Sequence, residues 1–185
     1  MRLCGRGDLE AVRDAVQSGA DVNGQDTGRG YTGLMEALVR GHIAVATFLL
    51  QQEDLDVDIT NFSGSGWSAL HWASTHDEYT DCLALILTKT DGRAINMANQ
   101  GIGALLHIAI LNGARRNIER LLTDNRIDCN IRNLDGLSPL MLAVCRNFRP
   151  AVELLLADNR VDLLTRDEYR RSVNFHLFPA FSKQY

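Results

Sequence analysis

Two histidines, His71 and His107, stand 36 residues apart in matching surroundings, LHWA and LHIA, and have the best opening claim to chemistry. An imidazole becomes a metal ligand or a general base only when carboxylates, thiols or a nucleophile share its neighbourhood. Neither segment supplies such a partner at useful spacing. No H-E-x-x-H, G-x-S-x-G, C-x-x-C or Gly-rich phosphate loop is present in the chain. His42 follows Gly41 at a break between apolar runs, and His76 and His176 are isolated. The four cysteines, Cys4, Cys82, Cys129 and Cys145, share no pairing pattern and have largely apolar neighbours. That setting fits small buried thiols better than a disulfide framework or a zinc site. The sequence therefore points to no catalytic residue, no metal site and no cofactor, and to a protein that is not an enzyme.

The recurrence of His71 and His107 belongs to a longer period. The segments GYTGLMEAL, GWSALHWAS, GALLHIAI and GLSPLMLAV begin at Gly30, Gly66, Gly103 and Gly136. Their leucines Leu34, Leu70, Leu106 and Leu140 are separated by 36, 36 and 34 residues. A period in that range marks stacked units, each too small to bury its apolar face alone. Within a unit, Ser138-Pro139 is the N-cap and first turn of one helix, and Leu140, Ala143 and Val144 recur on one side of it. The small alanines at 37, 73, 109 and 143 let a neighbouring helix approach closely. A break follows, as Gly41-His42 or Gly113, and then a second apolar set such as Val45, Ala46, Leu49 and Leu50. Each unit leaves through an Asp- or Asn-rich turn, DVN at 21–23, DVD at 56–58, AIN at 94–96 and DCN at 128–130. The near-identical stretches LLTDNRIDCN and LLADNRVDLL are thus a shared turn chemistry after the second helix and not a duplicated site.

The segments SALHWA, ALLHIA, SPLMLA and GADVN resemble the T-P-L-H-x-A and G-A-D-V-N motifs of the ankyrin repeat, in register over nearly the whole chain. The resemblance implies an all-α solenoid of stacked helix–turn–helix units with hairpin-like turns. It divides the chain into a partial unit at 1–26, full repeats at 27–62, 63–98, 99–133 and 134–167, and a divergent aromatic cap at 168–185. The family's Thr–His pair is expected to bridge the start of the first helix, and only Ser68 and His71 keep it. His107 faces Ala104, and Met35 and Met141 replace the histidine in two other units.

The resemblance also implies where a partner binds. Members of the family contact their partners with the residues before the first-helix motif and at that helix's end. Here these are Arg29, Tyr31, Ser65, Trp67, Gly103 and Leu137 in the turns, and Val39, Arg40, Thr75, His76, Leu111, Asn112, Cys145 and Arg146 at the helix ends. Tyr31 and Trp67 are the expected aromatic anchors, with Trp72 packing between units. Arg40 and Arg146 are equivalent positions suited to an acidic peptide. Leu122 and Asn130 resemble the spacing at which ankyrin repeats are hydroxylated by asparaginyl hydroxylases, which makes Asn130 an alternative, modification site.

Composition narrows the class of partner. With 45% hydrophobic and 23% charged residues the chain is that of an ordinary folded protein. A net charge of −4 and a pI near 5.7 offer no basic excess for nucleic acid. No apolar run approaches the roughly 20 residues that span a bilayer, and MRLCGRGDLE lacks a signal-peptide core. The expectation is a cytoplasmic or nuclear protein, monomeric in isolation, that binds a protein or peptide as adaptor, scaffold or inhibitor. The truncated first unit adds the expectation that the chain is a fragment of a longer array.

Overall fold

A computed structural model describes residues 2–62, 66–98 and 102–164. They fall into two compact units, Met1–Ala73 with Glu78–Ala94, and Ser74–Asp77 with Ile95–Tyr185. The expected aromatic cap at 168–185 lies outside the described residues.

The first unit contains α1 (Leu9–Gln17), α2 (Gly33–Val39), α3 (Ile43–Leu50), α4 (Ala69–Ala73) and α5 (Thr80–Lys89), preceded by a 3₁₀ turn at Cys4–Arg6. The helices pack as hairpins, α2 on α3 and α4 on α5, and the hairpins stack with α2 beside α4 and α3 between α1 and α5. The second unit repeats the arrangement with α6 (Leu105–Leu111), α7 (Arg115–Leu122), α8 (Pro139–Cys145) and α9 (Arg149–Ala157), α6 lying beside α8 and α7 beside α9. Ala37 and Ala73 in the first unit, and Ala109 and Ala143 in the second, are fully buried. A larger side chain there would hold the stacked helices apart.

Local chemistry starts and stops these helices. The Thr32 hydroxyl accepts from Met35 N at 3.3 Å and that of Ser138 from Met141 N at 3.4 Å, so both units that lost the histidine keep their N-cap. Pro139 supplies the pre-set first turn of α8. Three of the first helices, α2, α6 and α8, then end in a Schellman motif, with left-handed Gly41, Gly113 and Asn147 at φ 77°, 69° and 52°. The next residue donates back to the buried alanine carbonyl: His42 N to Ala37 O at 2.8 Å, Ala114 N to Ala109 O at 2.9 Å and Phe148 N to Ala143 O at 2.9 Å.

The exit turns form a ladder. Asn23 donates to Asp54 O at 2.7 Å and accepts from Asp56 N at 2.8 Å. Asn96 does the same with Arg126 O and Asp128 N, both at 2.8 Å, and Asn130 with Arg160 O and Asp162 N, both at 2.7 Å. Asp58 fills the remaining rung as a pure acceptor, taking Thr90 Oγ1 at 2.5 Å and Asp91 N at 3.0 Å. In three of these turns the preceding aspartate also accepts from the backbone two residues on, Asp21 from Asn23 N, Asp56 from Asp58 N and Asp128 from Asn130 N, whereas Ala94 takes that place before Asn96. The duplicated DNR segments have the same geometry: Asp124 and Asp158 each accept from the backbone N–H and the guanidinium of the arginine two residues later. Arg160 additionally donates to Leu122 O at 2.6 Å and Asp124 O at 3.1 Å, closing the C-terminus of α7.

Candidate functional site

His71 and His107 are structural. His71 is buried with Nδ1 3.0 Å from Ser68 Oγ and 3.2 Å from Ser68 N, the expected brace. His107 reaches forward from α6, its Nε2 2.9 Å from Leu137 O. Its Nδ1 is buried without a hydrogen-bond partner, because Ala104 has no hydroxyl to offer. Burial holds the His107 imidazole below its usual pKa, with the Leu137 carbonyl opposing the shift. None of the cysteines is in a disulfide. Cys4, Cys82 and Cys129 are buried as expected, and burial raises their thiol pKa values. Cys145 departs from that expectation and is exposed, because it sits at the solvent end of α8.

The fingers precede the first helices of the hairpins. Asp26 builds the first one, its carboxylate accepting from Gly28 N at 2.7 Å, Arg29 N at 2.6 Å and Tyr31 N at 3.0 Å. These backbone donors, Arg29 first, hold the Asp26 carboxyl below the ordinary range. Asn61 performs the same task by accepting from Trp67 N, and Asn133 by accepting from Asp135 N and Leu137 N. An Asx side chain thus binds the backbone of each of these three fingers, and at the first Gln25 adds a donor to Gly30 O at 2.6 Å and Thr60 O at 2.9 Å.

Tyr31 is not the exposed anchor expected of it. It is 9% exposed, with its ring edge-on to Trp72 at 5.9 Å and the Arg29 guanidinium carbon 5.5 Å from its centroid. Trp67 is half-buried and leans on Trp72, ring centroids 4.2 Å apart, so the three aromatics form one packed cluster. Thr75 is buried, its hydroxyl 2.8 Å from Nδ1 of the exposed His76. Arg29, Val39, Arg40, Asn112, Cys145 and Arg146 are exposed, while Leu111 and Leu137 are half-buried. Ser65 lies outside the described residues. Asn130 is half-buried, with both ends of its carboxamide engaged in the exit-turn ladder.

Two exposed finger residues escaped the sequence reading. Phe62 is 62% exposed beside the first unit's second finger, and Leu134 is 71% exposed between Asn133 and Asp135 in the second unit. The resemblance directed attention to residues directly before the helix motif, whereas these follow the Asx residue at the finger's base. Two arginines escaped as well. Arg2 and Arg6 join Arg29, Arg40, Asp26, Glu36 and Gly5 around an open cleft of about 420 Å³. Arg40 Nε is 2.6 Å from Glu36 Oε1, and a Cβ on Gly5 would stand 3.0 Å from that pair. The pair Arg6-Gly7 lies 34 residues before Arg40-Gly41, so the repeat period itself could have placed Arg6 beside Arg40.

The repeating hairpins, their Schellman breaks and the exit-turn ladder define an all-helical repeat protein, relieved only by the isolated bridges Gln25–Thr32 and Thr60–Ser68 among the described residues. A family model described as "Ankyrin repeats (3 copies)" matches residues 1–99 and 106–173, and the chain belongs to the ankyrin-repeat family. The chain is similar to a Saccharomyces cerevisiae protein named Target of rapamycin complex 2 subunit AVO2, 31% identical over 111 residues. That match covers 60% of this chain and 25% of the yeast protein. The fold is similar to that in the crystal structure of EF0377, an ankyrin repeat protein, with a TM-score of 0.81 and 24% identity over all of this chain and 96% of that one. No helix among the described residues is long and apolar enough to cross a membrane.

Proposed function

We propose that this chain is a protein-interaction module that holds a protein or peptide partner with its fingers and the ends of its first helices, as an adaptor, scaffold or inhibitor. The observation that carries the reading is the division of labour in the fingers. Asp26, Asn61 and Asn133 satisfy the finger backbones internally, while Arg29, Phe62 and Leu134 stand exposed on the rigid frame so formed. A preorganised loop carrying exposed apolar and arginine side chains loses little entropy on binding. Among the helix-end residues, Arg40 in the first unit and His76, Asn112 and Arg146 in the second are exposed as well. Ankyrin repeats are in general protein-interaction modules, and the yeast relative's name makes it a subunit of a multiprotein complex, which supports an assembly role here. Three buried thiols outside any disulfide suit a reducing compartment such as the cytoplasm.

The test is affinity capture with the wild-type chain beside Arg29→Ala, Arg40→Ala and Phe62→Ala variants, followed by titration of the captured partner. Each anchor is expected to cost about 1 kcal/mol or more of binding energy. Unchanged affinity in all three variants, with folding verified by circular dichroism, would reject this surface.

A further inference from the structure

The cleft in the first unit has a composition unlike the rest of this acidic chain. Its walls are four arginines, two carboxylates and a glycine, with no apolar side chain among them. Both carboxylates are already committed, Asp26 to the finger backbone and Glu36 to Arg40. Arg2, Arg6 and Arg29 make no ion pair among the described residues, and all three are exposed. Four guanidiniums against two carboxylates leave two positive charges uncompensated in one concavity. Arginine forks match the tetrahedral oxygens of a phosphate through paired hydrogen bonds, and a phosphomonoester near neutral pH carries close to two negative charges.

We propose that this cleft binds a phosphorylated side chain of a peptide partner, with Arg2, Arg6 and Arg29 as the phosphate ligands and the Glu36–Arg40 pair as the wall that orients them. The proposal rests on the interaction reading above and names the chemistry of the partner at that surface. A cleft of about 420 Å³ is larger than a phosphate group alone and has room for the residues that flank it. A lipid headgroup is the weaker match: no apolar side chain lines the cleft to enter a bilayer, and a chain of net charge −4 is repelled by an anionic membrane. The finger contributes Arg29 on a backbone fixed by Asp26, so the ligand meets a formed site.

The experiment uses three fluorescent degenerate peptide pools, one centred on phosphoserine, one on serine and one on glutamate, titrated against the whole chain by anisotropy. Vesicles containing a phosphoinositide form a fourth arm. The wild type is expected to bind the phosphoserine pool about tenfold more tightly than the glutamate pool and to leave serine peptides and vesicles unbound. An Arg6→Gln/Arg29→Gln variant is expected to lose that preference while keeping the wild-type melting curve. Should that variant unfold, Arg2→Gln with a salt titration of the wild type carries the same reading, since a phosphate contact weakens steeply with ionic strength. Equal affinity for all pools, no affinity for any, vesicle binding without peptide binding, or a phosphate preference undiminished in the variants would each overturn the proposal. A captured partner that binds equally well after phosphatase treatment sinks this inference and leaves the interaction reading standing.

Discussion

His107 shows what one missing hydroxyl does. Ala104 occupies the N-cap of α6 with the extended backbone that a capping residue needs, yet it has no side chain to accept from the helix or to meet His107 Nδ1. Ala104→Ser is expected to raise stability by about 1 kcal/mol in urea unfolding, because it adds both a cap and a partner for a buried nitrogen. A decrease would show that the pocket cannot hold the extra oxygen. The same histidine gives a pH signature. Its folded-state pKa lies below the unfolded value of about 6.5, so the unfolded chain takes up the proton first and stability falls as the pH drops through that value. His107→Phe is expected to flatten the stability profile between about pH 7 and 5, whatever it does to absolute stability. An unchanged slope would assign the effect elsewhere. Both histidines were legible as structural from their 36-residue spacing, but the orphaned nitrogen became visible only when the imidazole was seen to turn forward to Leu137.

At the scale of elements, the exit-turn ladder carries more weight than its polar composition suggested. An asparagine there both donates and accepts, bracketing the turn that follows about thirty residues later. Asn96→Ala removes both bonds and is expected to cost about 1–2 kcal/mol, read as a lowered urea midpoint with an unchanged slope. Asn96→Asp, which keeps only the acceptor, should fall between. No loss in either variant would mean that water replaces the bracket without penalty. The helices, their breaks and the turn residues were legible because period, caps and glycines agree with one another. The aromatic finger was not, because the sequence places Tyr31 and Trp67 at tips without showing that Trp72 lies between them. Side-chain clusters that form across stacked hairpins have no signature in local spacing.

For the molecule as a whole, thiol exposure offers a direct reading of integrity. Cys145 is exposed, whereas Cys4 and Cys82 are buried in the first unit and Cys129 in the second. A thiol reagent is expected to modify one cysteine at once and three only after unfolding, as counted by intact mass. Fast reaction of a second thiol would mean that the unit containing it opens readily. The same scale explains why the arginine cleft escaped the sequence reading. Its walls come from Arg2 and Arg6, from a finger and from the end of α2; the period aligns Arg6 with Arg40, but only the folded first unit adds Arg2 and Arg29. The ladder has one more consequence, in time instead of space. Asn23 waits for Asp54, Asn96 for Arg126 and Asn130 for Arg160, so every rung is closed by residues made some thirty codons later. At roughly 5–20 residues per second, a ribosome delivers each partner about 2–6 s after its asparagine has been synthesised. The nascent chain can therefore fasten its turns in the order of translation.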